Sequence, residues 1–225
     1  MPRMLPALCL AFVSMTAGAQ LNKVSTQDAN SGMRAALEKG SQAAVASLGK
    51  TDGFLGNSAV KIGLPESLKP YEKMMRRFGM GKYADELVLT MNRAAESAVP
   101  EAKPLFVDAV KKMSFQDAKG ILTGGSTSAT DYFKRTTSDP LRAKFLPIVA
   151  QSTKKVQVAE KYNEFAGQGA KYGLIKKEDA NLDGYITQKT LDGLFFMVAE
   201  EEKKIRANPV AAGSDIIKKV FGAMK

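Results

Sequence analysis

The sequence predicts an all-α fold, on three observations. Apolar residues recur at helical spacing through most of the chain, and prolines stand at the starts of the periodic segments. Only one short stretch alternates in the manner of a strand. The composition, 44% apolar and 25% charged, is that of a globular chain and excludes disorder or collagen as whole-chain readings. No fixed-period repeat is present, which disfavours a solenoid.

The segment 28–48 is rich in Ala, Glu and Lys and places Met33, Leu37, Ala44, Val45 and Leu48 near helical spacing. It is expected as a helix, either packed or standing off as an arm. Glycines from Gly49 to Gly56 then mark a loop, and Val60–Leu64 is the strand-like stretch. A helix is expected from Pro65 to Phe78, punctuated by Gly79 and Gly81, and another from Asp85 to Val99. Pro100 and Pro104 open a helix carrying Phe106, Val110 and Met113. Ser114 and Asp117 form a capping box for a short helix over 115–122, and Ser128 and Asp131 form a second one ahead of Tyr132 and Phe133. Asp139–Pro140 reads as a fresh start running through Val149, followed by a segment over 158–165. Gly167, Gly169 and Gly173 read as a loop. A long helix is expected from about Gln188 to Arg206, then a stop at Asn208–Pro209 and a terminal helix with Ile216, Ile217, Val220 and Phe221 inward.

The first 19 residues have the order of a secretory leader: Arg3, an apolar run from Leu5 to Met15, then Ala17-Gly18-Ala19. Cleavage after Ala19 removes Cys9, the one cysteine, so the remaining single domain, residues 20–225, relies on its core without disulfides. A periplasmic or secreted location is expected. No later apolar run is long enough to span a bilayer. The net charge is +10, reduced by one when Arg3 is removed, and it favours anionic partners. For an exported chain, anionic lipid or another envelope component is expected rather than nucleic acid; the competing reading is a solvated basic surface that keeps the protein soluble.

Absent residues narrow the chemistry. Without histidine there is no Ser–His or Cys–His pair and no imidazole base. Without histidine or a cysteine beyond the leader there is no usual zinc, haem or iron–sulfur ligand set, and no cofactor is expected. Paired carboxylates remain available for hydrolysis. However, Asp85–Glu86 and Glu200–Glu202 are adjacent in sequence, and adjacent helical residues point apart. The latter run reads as a solvated face with Glu200 paired to Lys204.

Two motifs are candidate sites. Gly124, Gly125, Ser126, Thr127 and Ser128 form a glycine-rich entry to a helix whose free N–H groups suit an anion, with Lys134 and Arg135 supplying charge. The competing reading is ordinary capping, and Asp131 would repel an anion. Asp179, Asn181, Asp183, Tyr185 and Thr187 follow the calcium-loop spacing. Thr190 replaces the bidentate glutamate that closes such a loop, so calcium binding is expected to be no tighter than about 10⁻⁴–10⁻³ M. An Asx-rich turn with Thr187 as N-cap is the preferred alternative.

The blocks NRAAESAVPEA (92–102), DAKGILTGGSTSATDYFKRTT (117–137), LDGYITQKTLDGLFFMVAEEEKKIRANP (182–209) and IIKKVFG (216–222) resemble the bacterial domain-of-unknown-function family 4197. The resemblance begins near Gly32 and implies an exported, mainly helical protein, with no established activity or catalytic residues to transfer. The residues together point to a non-enzymatic binding module for an amphipathic or anionic ligand. The alternative is a carboxylate-dependent hydrolase acting on an envelope polymer.

Overall fold

The computed structural model describes residues 26–208, apart from 155, 177 and 178. The leader segment and the expected terminal helix around Ile216–Phe221 lie outside the described residues. The helical periodicity resolves into α1 (Thr26–Leu48), α2 (Lys69–Arg77), α3 (Gly81–Ala98), α4 (Ala102–Lys112), α5 (Phe115–Thr123), α6 (Ser128–Thr153), α7 (Gln157–Lys171) and α8 (Leu182–Ala207). They form a single helical domain. Short 3-10 turns at Glu66–Leu68 and Val99–Glu101 lead into α2 and α4.

The long buried stripes of α6 and α8 pack on each other. α1 lies across α8, α4 and α5, and α3 lies across α6 and α8. Packed in this way, α1 is part of the body rather than an arm, with Met33, Leu37, Ala44 and Leu48 buried. Arg34 fastens it further: its guanidinium donates to the carbonyls of Val110 (2.6 Å), Lys111 (3.0 Å) and Met113 (2.6 Å), where α4 ends. A cation there satisfies orphan carbonyls and opposes the negative end of the helix dipole.

α6 is one helix where the sequence predicts two. Both Pro140 and Pro147 lie inside it. An interior proline costs about 3 kcal/mol through a lost hydrogen bond and a ring clash. Against this, Phe133, Thr137, Leu141, Phe145, Val149 and Thr153 recur every fourth residue and are all buried. Burying the four apolar members is worth roughly 6–12 kcal/mol, and the stripe is continuous only if the helix is. Thr136, Thr137 and Ser138 bond back to the carbonyls of Tyr132, Phe133 and Lys134, adjusting the ladder just before Pro140. Phe133 packs against Phe106 at a centroid distance of 4.7 Å, and Phe106 also meets Phe195 of α8 at 6.4 Å.

Other boundaries differ from the sequence expectation: α2 starts at Lys69 rather than Pro65, and α3 at Gly81 rather than Asp85. α7 continues through Gly167 and Gly169 to Lys171. A Cβ at Gly169 would lie 2.8 Å from Ile175 Cδ1, so the missing side chain makes room for Ile175 to fold back. α8 starts at Leu182, because the Asn181 carboxamide caps it by accepting from Gly184 N–H at 2.8 Å. The Ser114–Asp117 capping box is present as expected, with both reciprocal bonds formed.

The strand-like stretch Val60–Leu64 has no strand partner, and the described residues contain no strand. Its backbone is served instead by one side chain. The buried Asn92 carboxamide accepts from Ile62 N–H (2.9 Å) and donates to Ile62 C=O (2.8 Å), reproducing the pairing a neighbouring strand would give.

Gly193 of α8 faces this loop. A Cβ there would stand 2.7 Å from Phe54 Cε1 and 3.3 Å from Val60 Cβ, and Phe54 is fully buried. Gly193→Ala is therefore expected to destabilise the protein by about 1–3 kcal/mol despite alanine's better helix propensity. A urea unfolding midpoint equal to or above the wild-type value would contradict this packing account.

Candidate functional site

The start of α6, which follows the glycine-rich turn, presents free N–H groups at Ala129 and Thr130, and an anion occupies them. It is the protein's own Glu202. Its carboxylate accepts from Ala129 N–H (3.0 Å), Thr130 N–H (2.9 Å) and the Thr130 hydroxyl (2.9 Å), and Arg206 donates to it at 2.8 and 3.0 Å. Glu202 is 7% exposed, so it is not part of the solvated face expected for Glu200–Glu202. Glu200 pairs with Lys203 and Glu201 with Lys204, displacing the expected Glu200–Lys204 pair. The position of Glu202 in the apolar progression Leu194, Val198, Glu202 is the signal that places it inward.

The rest of that motif is structural. Gly124 ends α5, and a Cβ there would lie 2.6 Å from Gly120 O. Ser128 does not cap α6; its hydroxyl donates to Gly125 O, and Thr127, the N-cap residue, donates to Asp131. Ser126 and Lys134 are exposed. Arg135 is held by Asp117 at 2.9 Å, and its guanidinium lies 5.5 Å from the centre of the Tyr132 ring. A narrow apolar crevice beside Glu202, between Met33, Leu37, Ile121, Phe133, Val198 and Ile205, has a volume of about 30 Å³, room for one water.

A second buried carboxylate repeats the device. Glu96 of α3 accepts from Phe54 N–H (3.0 Å) and Leu55 N–H (3.1 Å), with Arg93 at 2.6 Å as its counter-charge. Glu96 and Glu202 thus each order two consecutive backbone amides.

The calcium-loop spacing is not realised as a loop. Asp183, Tyr185 and Thr187 lie on the first two turns of α8, where side chains two residues apart point in nearly opposite directions. Asp179 accepts from the Tyr162 hydroxyl through its carbonyl (2.6 Å), Asn181 caps α8, and Asp183 accepts from Thr153 Oγ1 (2.6 Å). Thr187 is buried rather than an N-cap, and Thr190 donates back to Ile186 O. The motif's residues are separated by helix formation, because α8, capped by Asn181, starts inside the spacing.

Tyr185 stands between two larger open spaces. Its hydroxyl donates to Gly63 O at 3.0 Å, bridging α8 to the Asn92-held segment. On one side is a space of about 510 Å³ whose walls include Ile62, Leu64 and the half-exposed ring of Phe196, with Lys61 and Lys69 at the edge. On the other is a space of about 600 Å³ lined by Arg142, Lys176, Gln188 and Lys189. Arg142 donates to the Gln188 carboxamide oxygen, and the Gln188 amide donates to Asp192 at 2.7 Å. Gln188 thereby orients the guanidinium without placing a carboxylate on it, and Arg142 forms no ion pair among the described residues. Lys189 Nζ lies 5.8 Å from the Tyr185 ring centre. Glu66 borders both spaces, with Asp192 on the first side and Asp179 on the second, so the cleft is mixed, with apolar groups on one side of Tyr185 and more cations than carboxylates on the other.

A family model described as a protein of unknown function, DUF4197, matches residues 23–222. The chain belongs to that family. The match takes in every cleft residue and both buried carboxylates. No curated protein and no solved structure matches the chain.

Glu202→Ala is expected to lower stability by about 3–5 kcal/mol, since it removes the buried counter-charge of Arg206 and leaves two amides of α6 without their acceptor. Glu202→Gln, which keeps an acceptor oxygen, should lose less. Urea unfolding of both variants tests this, and equal losses would show that the charge, not the capping, is what matters.

Burial pushes the Tyr185 phenol up to about 12, with Asp179, Glu66 and Asp192 acting in the same direction, and burial raises Tyr162 further still. Because the folded state favours the neutral phenol, its contribution is complete below the ordinary tyrosine pKa of about 10 and is lost as pH rises toward 12. Urea unfolding measured at pH 9 and 11.5 should show a smaller pH-dependent loss in Tyr185→Phe than in wild type, with Tyr162 and Tyr132, both raised by burial, contributing to the remainder.

Proposed function

We propose that this protein is an exported, non-enzymatic binding module that takes an amphipathic anionic ligand into the cleft at Tyr185. The observation that carries the reading is Arg142, a cation positioned by Gln188 at the cleft wall without a carboxylate partner. A charge held in that state is a ready partner for a phosphate or carboxylate head group. Across Tyr185, Ile62, Leu64 and Phe196 offer an apolar wall to the remainder of such a ligand. Spaces of about 510 and 600 Å³ are in the range of small-molecule sites.

Export is supported by the order of charge, apolar run and small residues in the first 19 positions. The family match begins beyond that segment, at residue 23. The hydrolase alternative draws no support from the buried acids, because Glu96 and Glu202 are each committed to backbone amides and an arginine.

Calorimetric titration with dodecyl phosphate, using dodecyl maltoside as the uncharged comparison, tests the reading. Arg142→Ala should weaken dodecyl phosphate binding about tenfold or more, the loss of one charge-assisted contact, while leaving the maltoside response unchanged. Equal affinity of wild type and Arg142→Ala for the phosphate would overturn it.

A further inference from the structure

A different surface carries a second, independent reading. α2 packs on α3 and on the 3-10 turn that precedes it, forming a helical hairpin at the edge of the domain. Its turn is closed by Gly79 at φ +75°, with Gly79 N–H bonding Arg76 O (3.2 Å) and Met80 N–H bonding Met75 O (2.8 Å). That is a Schellman ending, and the left-handed residue at its centre is the position glycine serves best. The consequence is that Phe78 and Met80 stand at the tip, 70% and 44% exposed.

Helical spacing arranges what surrounds them. Met74 and Phe78 lie one turn apart at the end of α2, 51% and 70% exposed, and Lys73 and Arg77 run beside them as a parallel exposed pair. Tyr83 and Lys82 extend the patch onto α3, with Lys82 Nζ 5.2 Å from the Tyr83 ring. Residues 69–83 hold five cations against one carboxylate. Arg76 is used internally, bonding Glu72 at 2.9 Å and Asp85 at 2.6 Å, so that it braces the two helices together. Lys69 pairs with Glu66. Lys73, Arg77 and Lys82 form no ion pair among the described residues.

We infer that the α2–α3 hairpin docks on an anionic lipid bilayer surface, with Phe78, Met74 and Met80 entering the interface and Lys73, Arg77 and Lys82 meeting head-group charge. Exposed apolar side chains flanked by long cationic ones are what such an interface accommodates, the apolar parts going in and the charges staying at head-group level. A second copy of the chain is a poorer occupant. A two-fold contact places the same patch on both partners, bringing the two sets of unpaired cations together. No described helix is long and apolar enough to cross a membrane, and peripheral docking needs none.

The test is co-sedimentation of the purified protein with vesicles of phosphatidylcholine alone or with about 30% phosphatidylglycerol, the anionic lipid supplying the surface potential. Wild type should bind the anionic vesicles and release at high salt. Lys73→Glu/Arg77→Glu should bind at least tenfold less, on the basis of roughly fivefold per cation. Met74→Ser/Phe78→Ser should also bind less, with unchanged helicity by circular dichroism because both side chains are exposed. All variants share the wild-type N-terminus, so differences report the hairpin. The chain has no tryptophan, so Phe78→Trp provides a single reporter. Its emission should shift to the blue and be quenched by brominated lipid on binding. Anionic vesicles that capture wild type and both double variants equally would overturn the inference, as would indole emission from Phe78→Trp that stays solvent-like. So would a wild-type dimer that Met74→Ser/Phe78→Ser dissociates in sedimentation equilibrium, which would assign the patch to a second copy.

Discussion

The carboxylate of Glu202 is the contact on which the arrangement of the long helices depends. It comes from the last third of α8 and ends at two consecutive amides in the first turn of α6, so it fixes both the rotation of α8 and the starting point of α6. A buried glutamate is costly when alone. Here Arg206 neutralises it from one turn away, and the positive end of a 26-residue helix adds to the field. With that end pinned, the stripe from Phe133 to Thr153 is aimed at α3, α4 and α8, and the two prolines become tolerable.

The class of fold was legible because helical periodicity survives local irregularity. The capping box at Ser114 was legible too, since both of its partners lie within four residues. Boundaries failed wherever a long-range contact outweighed a local signal. Pro140 and Pro147 signal a break, yet burial of Leu141, Phe145 and Val149 keeps α6 whole. Gly167 and Gly169 signal a loop, yet Ile175 fills the space a side chain at 169 would need. The Asp179–Thr187 spacing resembles a cation loop, but spacing alone does not say whether a capping asparagine will start a helix inside it.

The helix start that follows the glycine-rich turn meets an anion that no local pattern announces. The amides that hold it belong to Ala129 and Thr130, beyond the turn itself, and the anion is internal. Nothing local to residues 124–128 identifies a carboxylate more than seventy positions away. The cleft was missed for a similar reason. Arg142, Gln188 and Tyr185 come together only through the packing of α6, α8 and the segment near Gly63, and neither Arg142 nor Gln188 belongs to a recognisable motif.

Asn92 and Glu96 sit one turn apart on α3 and hold two separate points of the same loop, Ile62 and the Phe54–Leu55 pair. A rigid helix therefore acts as a ruler for a segment that has no regular structure of its own. The span between Leu55 and Ile62 is measured by that ruler, so a single inserted or deleted residue within it puts one anchor out of register. It would also move Gly63, and with it the hydroxyl contact that divides the cleft. A change of length is accommodated elsewhere in the chain, beyond the reach of those two side chains.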